Sequence, residues 1–186
     1  TPPDSRPQPM PISWLRFAWD LVSLPDTPIV PPPSYVLRFA GKADAAMIQK
    51  VTASAFQMDS SPGDLPKRTV ERMEALVNDA LEADGESHCV VLQHGSRIIG
   101  CSALRTAKSA DNHLLTGPCI VHEYRSRSFG TLLLQASLVA LRKAGLEQGF
   151  GVVRDRTTSA RFVYPKFSGK ASPWTPTAET PASLAA

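Results

Sequence analysis

The spacing of apolar residues divides the central part of the chain into strands and helices. Alternation or short apolar runs predict strands at 35–39, 88–93, 97–104, 114–121 and 150–154. Apolar residues three and four apart predict helices at 42–56, at about 66–83, from about 129 to Gly145, and at 159–167. A short turn joins the 88–93 and 97–104 strands, which favours antiparallel neighbours. The order of elements predicts a mixed α/β (α+β) domain.

Proline-rich segments flank this domain on both sides. Ten of the 17 prolines lie within residues 1–33 and three lie beyond residue 170, so we expect the domain at 34–169 between two extensions. Apolar residues at helical spacing behind Ser13 predict a short amphipathic helix at about 13–24. This helix docks either on its own domain or on a partner or membrane surface. The tail at 170–186 has few large apolar residues, so we expect it to be disordered.

Composition narrows the class of protein. A chain of 186 residues with 42% apolar and 20% charged residues has room for one domain with a real core. It has no apolar run of about 18 residues, so no membrane span is expected. Cys89, Cys101 and Cys119 are scattered and form no C-x-x-C pair, which argues against a disulfide framework or a zinc ribbon. We therefore expect reduced, buried thiols, no metal and a cytoplasmic location.

Positive charge is concentrated in one part of the sequence. Residues 125–170 hold nine Lys and Arg against two acidic residues, while the rest of the chain is mildly acidic. This surplus indicates either an anionic ligand or a solvated basic face. The arginines are not interleaved with aromatic residues in a stacking pattern, so a nucleic-acid partner is not expected.

The segment at 120–145 carries the most specific pattern in the chain. An apolar strand runs into a short basic turn and then into a strong helix that ends at Gly145. The first N–H groups of a helix have no partner within it and lie at its positive end, which suits a phosphate group. Ser128, Gly130 and two arginines of the turn favour the same ligand.

The turn reads Arg125-Ser126-Arg127-Ser128-Phe129-Gly130 and resembles the Arg/Gln-x-x-Gly-x-Gly/Ala signature of the GCN5-related N-acetyltransferase (GNAT) family. The residues at 120–125 are similar to the strand end that precedes this signature, and those at 160–169 are similar to the last-helix motif of the family. The resemblance covers about residues 35–169. It implies a mixed, mostly antiparallel central sheet flanked by helices, with acetyl-CoA as cosubstrate and no metal.

The resemblance also implies roles for individual residues. The turn would hold the pyrophosphate through Arg125, Ser126, Arg127, Ser128, Phe129, Gly130 and Thr131. Cys119 and Ile120 would form the edge that binds the pantetheine arm, and Thr157 stands where the family commonly has Asn. Tyr164 would protonate the departing thiolate.

Three positions depart from the family pattern. Ser128 and Ser168 replace residues that are usually Gly, and Thr157 replaces the common Asn. These departures keep open an alternative, in which the chain is a catalytically weak or inactive module that binds CoA or an acyl-CoA and acts through a partner.

The expected reaction is direct attack of an amine on the thioester, followed by proton donation from Tyr164. The group that removes the proton of the amine stays open among His113, His122, Glu123 and a water relay. The acceptor is a small amine, a polyamine or a protein or peptide amine, and acidic residues within 43–85 favour a cationic one. An acyl-cysteine route is not favoured, because the pattern offers no histidine partner. An exposed sheet edge, together with the amphipathic helix at about 13–24, favours a homodimer.

Overall fold

The structure, a computed structural model, describes residues 13–59, 67–82 and 87–175. Its strands are β1 (Trp14–Asp20), β2 (Tyr35–Phe39), β3 (Ser87–His94), β4 (Arg97–Arg105), β5 (Cys119–Ile120), β6 (Gln148–Arg154) and β7 (Lys170–Trp174). Its α-helices are α1 (Ala45–Asp59), α2 (Lys67–Glu82) and α3 (Phe129–Lys143). One-turn 3-10 helices occur at Lys42–Asp44, His122–Tyr124 and Lys166–Ser168, and a π-helical turn occurs at Ser159–Val163.

The strands form two antiparallel sheets. One has the order β2-β3-β4-β5 and the other has the order β6-β1-β7. The backbone N–H groups of His113 and Leu114 both reach Phe150 O, at 2.8 and 3.3 Å, and so join the loop before β5 to β6. The predicted mixed, mostly antiparallel architecture flanked by helices is confirmed.

The larger sheet forms the centre of the core. Residues 98–104 of β4 are buried without interruption, because helices α1, α2 and α3 all pack against this strand. A strand that is covered on both faces reads as a continuous apolar run, as the sequence does here. Within the described residues, no helix combines the length and apolar character needed to cross a bilayer.

The prediction of an amphipathic helix at about 13–24 is wrong, because Trp14–Asp20 form strand β1. Phe17 and Trp19 of the strand and Leu21 just after it alternate and are only 3%, 1% and 0% exposed. Aromatic residues favour strands. Strand β1 pairs on one edge with β6 and on the other with β7. Pairing with distant segments, which local spacing does not reveal, therefore decides the conformation.

The prediction of disorder at 170–186 is wrong for Lys170–Trp174, which form the edge strand β7 against β1. The part of the tail beyond residue 175 lies outside the described residues. The smaller sheet thus draws one strand from the expected first extension and one from the expected tail.

Two further elements differ from the sequence prediction in extent. The strand expected at 114–121 is reduced to Cys119–Ile120 and an isolated bridge between Leu104 and Leu114. The helix expected at 159–167 is interrupted at Pro165, where the π-helical turn gives way to a 3-10 turn. Proline cannot donate the hydrogen bond that would continue the helix.

Candidate active site

A cleft of about 670 Å³ opens where the two sheets separate. Strand β5 ends one sheet and β6 ends the other, and the two strands do not pair with each other. The end of α1, the turn at 125–128, the start of α3 and the segment at 157–166 complete the walls. The separation of the sheets therefore leaves the strand edges facing an open space.

The cleft brings together most of the residues that the sequence singled out. Those that line it are Cys119, Ile120, Arg125, Ser126, Ser128, Phe129, Gly130, Thr131, Thr157 and Tyr164. Arg127, His122 and Glu123 are not among the lining residues. The basic side chains of Arg125, Arg154 and Lys166 line the cleft, and within the described residues no Asp or Glu does.

The turn before α3 owes its shape to two serines in the left-handed region. Ser126 has φ 61° and Ser128 has φ 64°. This left-handed conformation is energetically unfavourable for any residue that carries a Cβ. Helix α3 begins at the next residue, Phe129. Gly130 lets the π-helical turn come near, because a Cβ there would lie 3.3 Å from Val163 Cγ2. The first amides of α3 consequently lie at the cleft, at the positive end of the helix.

The Arg125 side chain fastens this turn to the rest of the domain. Its Nε donates to Ile120 O at 3.2 Å, and one terminal nitrogen donates to Ala55 O at 3.4 Å. Arg127 instead lies over the Tyr124 ring, 5.4 Å from the ring centroid. The Tyr124 hydroxyl meets His94 Nδ1 at 2.8 Å. The side chains of both Arg125 and Arg127 therefore contact other residues of the protein.

The backbone of Ile120 offers a hydrogen-bond donor to the cleft. Val121 N donates to Ile99 O at 3.0 Å, and Ile120 is paired with Gly100. Because hydrogen-bonded and non-bonded pairs alternate in an antiparallel ladder, the Ile120 N–H and C=O point away from β4. The C=O accepts the Arg125 hydrogen bond given above, and the N–H faces the open edge.

Tyr164 lies at the floor of the cleft with only 2% of its surface exposed. Its hydroxyl lies beside Gly117, which has φ 62°, and a Cβ at Gly117 would collide with that hydroxyl. Burial raises the pKa of the Tyr164 phenol, and nearby Cys119 raises it further. The phenol therefore stays protonated across the physiological range, as a proton donor must.

His113 is held as a neutral structural residue. Its Nδ1 accepts a hydrogen bond from Phe150 N at 3.0 Å, so Nε2 carries the proton and donates to Ala107 O at 3.0 Å. Burial lowers the pKa of His113, which favours the same neutral form. Both ring nitrogens are engaged, which leaves neither to accept a proton from a substrate.

His122 and Glu123 lie on the 3-10 turn that follows β5, outside the cleft wall. Glu123 is exposed and forms an ion pair with Arg97 at 3.6 Å. The pKa of the Glu123 carboxyl is lowered, chiefly by a hydrogen bond from its own backbone amide and further by Arg97. The structure does not bring either residue together with Tyr164.

Thr157 uses its hydroxyl within the chain. The hydroxyl donates to Arg154 O at 3.0 Å and accepts from Ala160 N at 3.2 Å. It thereby joins the end of β6 to the π-helical turn that leads to Tyr164.

The three cysteines are buried and unpaired by disulfides. Hydrogen bonds with Cys119 and Cys89, together with burial, raise the pKa of the Cys101 thiol. Among the residues described, no group of three or more His, Cys, Asp or Glu is arranged to hold a metal ion.

Sequence reasoning missed Gly117 and the aromatic residues Phe17 and Trp19 that surround Tyr164. Gly117 stands before a proline inside a predicted strand, a position that signals a bend. The alternation of Leu15, Phe17 and Trp19 was the available signal for β1.

Comparison with known proteins places these features in a wider group. The model of the acetyltransferase (GNAT) family matches residues 52–169. The chain is similar in structure to a GCN5-related N-acetyltransferase from Sphaerobacter thermophilus, with a TM-score of 0.64, 16% identity, and coverage of 88% of this chain and 50% of that one. No curated protein matches the chain.

Two other solved structures share the fold. An acetyltransferase of the GNAT family from Colwellia psychrerythraea has a TM-score of 0.62, 10% identity, and coverage of 87% of this chain and 53% of that one. A functionally unknown conserved protein from Staphylococcus epidermidis has a TM-score of 0.59, 11% identity, and coverage of 88% and 59%. The chain thus spans about half to three fifths of the length of these structures, and such low identities show the fold alone.

Proposed function

This chain belongs to the acetyltransferase (GNAT) family, and on that premise we propose that it transfers an acetyl group from acetyl-CoA to an amine by direct attack. The observation that carries the proposal is one cleft with helix-start amides on its wall and a buried, protonated phenol on its floor. The amides suit the pyrophosphate of the donor, and the phenol suits its departing sulfur.

The donor would lie across the gap between β5 and β6. The amides of the turn and of the first residues of α3, 125–131, would hold the pyrophosphate at the positive end of the helix. Cys119 and Ile120 would line the pantetheine arm, with Thr157 on the other wall. Arg154 and Lys166 add positive charge to a cleft that is to receive a polyanion. The Arg125 side chain, which ties the turn to β5 and α1, would act by holding the turn in shape.

The chemistry would proceed in the space above Tyr164. A neutral amine attacks the thioester carbonyl carbon, and the Ile120 N–H would polarise the carbonyl oxygen. The carbon–sulfur bond then breaks, and the Tyr164 phenol donates its proton or a hydrogen bond to the departing thiolate. We assign removal of the amine proton to water in the open cleft, because neither His122 nor Glu123 lines it.

The proposed reaction specifies the acceptor only as an amine. Exposed carboxylates on α2, Glu71, Glu74, Asp79 and Glu82, support a cationic acceptor, whether a small amine, a polyamine or a peptide amine. They lie outside the cleft wall and would act by steering.

A binding module without turnover is the second candidate. The observation that favours it is Ser128, which occupies a left-handed position next to the turn amides where the family usually has Gly. A side chain there takes up space that a phosphate would otherwise approach.

The test combines titration calorimetry with an assay of thiol release. Acetyl-CoA and free CoA are titrated into the full chain, and CoA release is followed with a panel of small amines, polyamines and lysine peptides. Arg154→Gln and Lys166→Gln should each weaken acetyl-CoA binding about tenfold, the effect of losing one hydrogen bond to a charged group. Lys143→Gln, an exposed change in the last turn of α3, is the matched control.

Tyr164→Phe distinguishes the transferase from the binding module without turnover. Amine-dependent release of CoA that falls at least tenfold in Tyr164→Phe, with binding retained, supports the transferase. Saturable binding without amine-dependent release supports the binding module instead. Failure of acetyl-CoA and CoA to bind at all contradicts both.

A further inference from the structure

We infer that Trp19, together with Phe17, is a positioning residue for Tyr164, so that strand β1 helps to place the proton donor. The inference rests on the proposed function, in which the Tyr164 hydroxyl serves the departing sulfur. It assigns a role in the reaction to a strand that lies before residues 52–169, the part matched by the family model.

Strand β1 occupies the middle of the smaller sheet. Its register sets Phe17 opposite Gly151 and Trp19 opposite Gly149 on β6. The alternation of a strand places Phe17 and Trp19 on the same face. A Cβ at Gly151 would lie 3.0 Å from atoms of the Trp19 ring, so a glycine there makes room for the indole. The sheet is thus built to direct both rings toward Tyr164.

The two rings of β1 stack on each other and both contact the Tyr164 ring. The Phe17 and Trp19 centroids each lie 5.5 Å from the Tyr164 centroid, with interplanar angles of 85° and 75°. Such edge-on contacts are a favoured geometry for aromatic pairs. Packing against these two rings therefore restricts how the Tyr164 ring can lie, and with it the position of the hydroxyl.

The Trp19 indole also fixes the backbone that follows Tyr164. Its Nε1 donates to Lys166 O at 3.0 Å, across 147 residues of sequence. A Cβ at Gly169 would lie 2.6 Å from the same Nε1 and would also collide with Tyr164 O. The chain therefore folds closely around the indole at 164–169, and loss of the N–H would release this segment.

The main test is Trp19→Phe in the full chain, which keeps an aromatic ring and removes the N–H donor. We expect kcat to fall about tenfold, because a misplacement of about 1 Å in an active site lowers rates by up to about a hundredfold. The Kd for acetyl-CoA should rise by a smaller factor than kcat falls, since the turn at 125–131 is untouched and Lys166 keeps its charge. Trp174→Phe is the matched control and should leave kcat unchanged.

A double variant shows whether Trp19 acts through the hydroxyl. In a Tyr164→Phe background, Trp19→Phe should lower kcat no further, since the group being positioned is already gone. An equal fall of kcat in both backgrounds overturns the inference, as does an unchanged kcat in Trp19→Phe alone. If Trp19→Phe does not fold, Phe17→Leu replaces it and should lower kcat about threefold with the same dependence on Tyr164.

The outcomes also separate this inference from the proposed function. Amine-dependent turnover in the wild type that Tyr164→Phe reduces and Trp19→Phe does not reduce overturns the inference alone. Absence of turnover in the wild type with every amine of the panel overturns both.

Discussion

Gly117 faces the Tyr164 hydroxyl at the floor of the cleft, and Gly117→Ala tests whether that contact is as close as the structure shows. Two effects destabilise the variant. A residue with a side chain at φ 62° costs about 1–2 kcal/mol in the left-handed region. The new methyl group collides with the Tyr164 hydroxyl, and overpacking of this kind costs about 1–3 kcal/mol.

One effect opposes them. Alanine reduces the conformational freedom of the unfolded chain and so recovers about 0.4–1 kcal/mol. The net loss in the free energy of unfolding is therefore about 1–5 kcal/mol, from the three terms together. It should be measured by urea denaturation.

A matched glycine isolates the backbone part of this loss. Gly95 has φ 60°, and a Cβ there would meet no atom within 4 Å. Gly95→Ala should therefore lower the free energy of unfolding by only about 0–1.6 kcal/mol. This range is the cost of a side chain in the left-handed region less the gain from a less flexible unfolded chain.

Tyr164→Phe removes the hydroxyl and with it the collision, although a Cβ at Gly117 would still lie 3.3 Å from the Tyr164 Cζ. In that background Gly117→Ala should cost less by about 1–3 kcal/mol, which a double-mutant cycle measures as coupling. A coupling below about 0.5 kcal/mol, the level found for independent sites, would refute the reasoning.

Three further predictions concern the turn and two buried polar residues. Ser128→Gly should stabilise the fold by up to about 1.6 kcal/mol, because it removes a left-handed serine, and should tighten acetyl-CoA binding; calorimetry showing weaker binding would contradict this. Burial depresses the folded pKa of His113, so its contribution to stability is present above the unfolded value of about 6.5 and is lost as pH falls below it. Urea denaturation at pH values from 7.5 to 5 should show the free energy of unfolding falling with pH, and His113→Gln should reduce this pH dependence. The hydrogen bond with Arg38 lowers the pKa of Asp44. The contribution of Asp44 to the free energy of unfolding is therefore present above about pH 3.9 and is lost as pH falls through the folded pKa. In Asp44→Asn the free energy of unfolding should depend less on pH in this acidic range.

Several elements could be predicted from the sequence because their signals are local. The β3–β4 hairpin has two apolar runs on either side of a short turn, and α3 has apolar residues at helical spacing before Gly145. The turn at 125–128 combines a strand end, basic residues and a helix start within a few positions. The family that this turn indicated is confirmed by the family model, which matches residues 52–169. Most of the residues it indicated lie on one cleft.

Other features were decided only by the tertiary structure. The spacing of Trp14, Phe17 and Leu21 fits a helix while that of Leu15, Phe17 and Trp19 fits a strand, so local pattern does not choose between them. Pairing of β1 with β6 and β7, more than 100 residues away, makes the choice, because it satisfies the backbone on both edges. The same pairing turns residues 170–174 into a strand.

The candidate site shows the same division between local and long-range causes. Sequence alone determined that a basic turn precedes a helix and that a tyrosine follows in the last motif. Only the tertiary structure decided that Phe17 and Trp19 contact Tyr164, that Gly117 meets its hydroxyl, and that His122 and Glu123 lie outside the cleft. The physical reason is that periodicity and capping act within a few residues. Burial, ring packing and strand pairing depend on segments that meet only after the chain has folded.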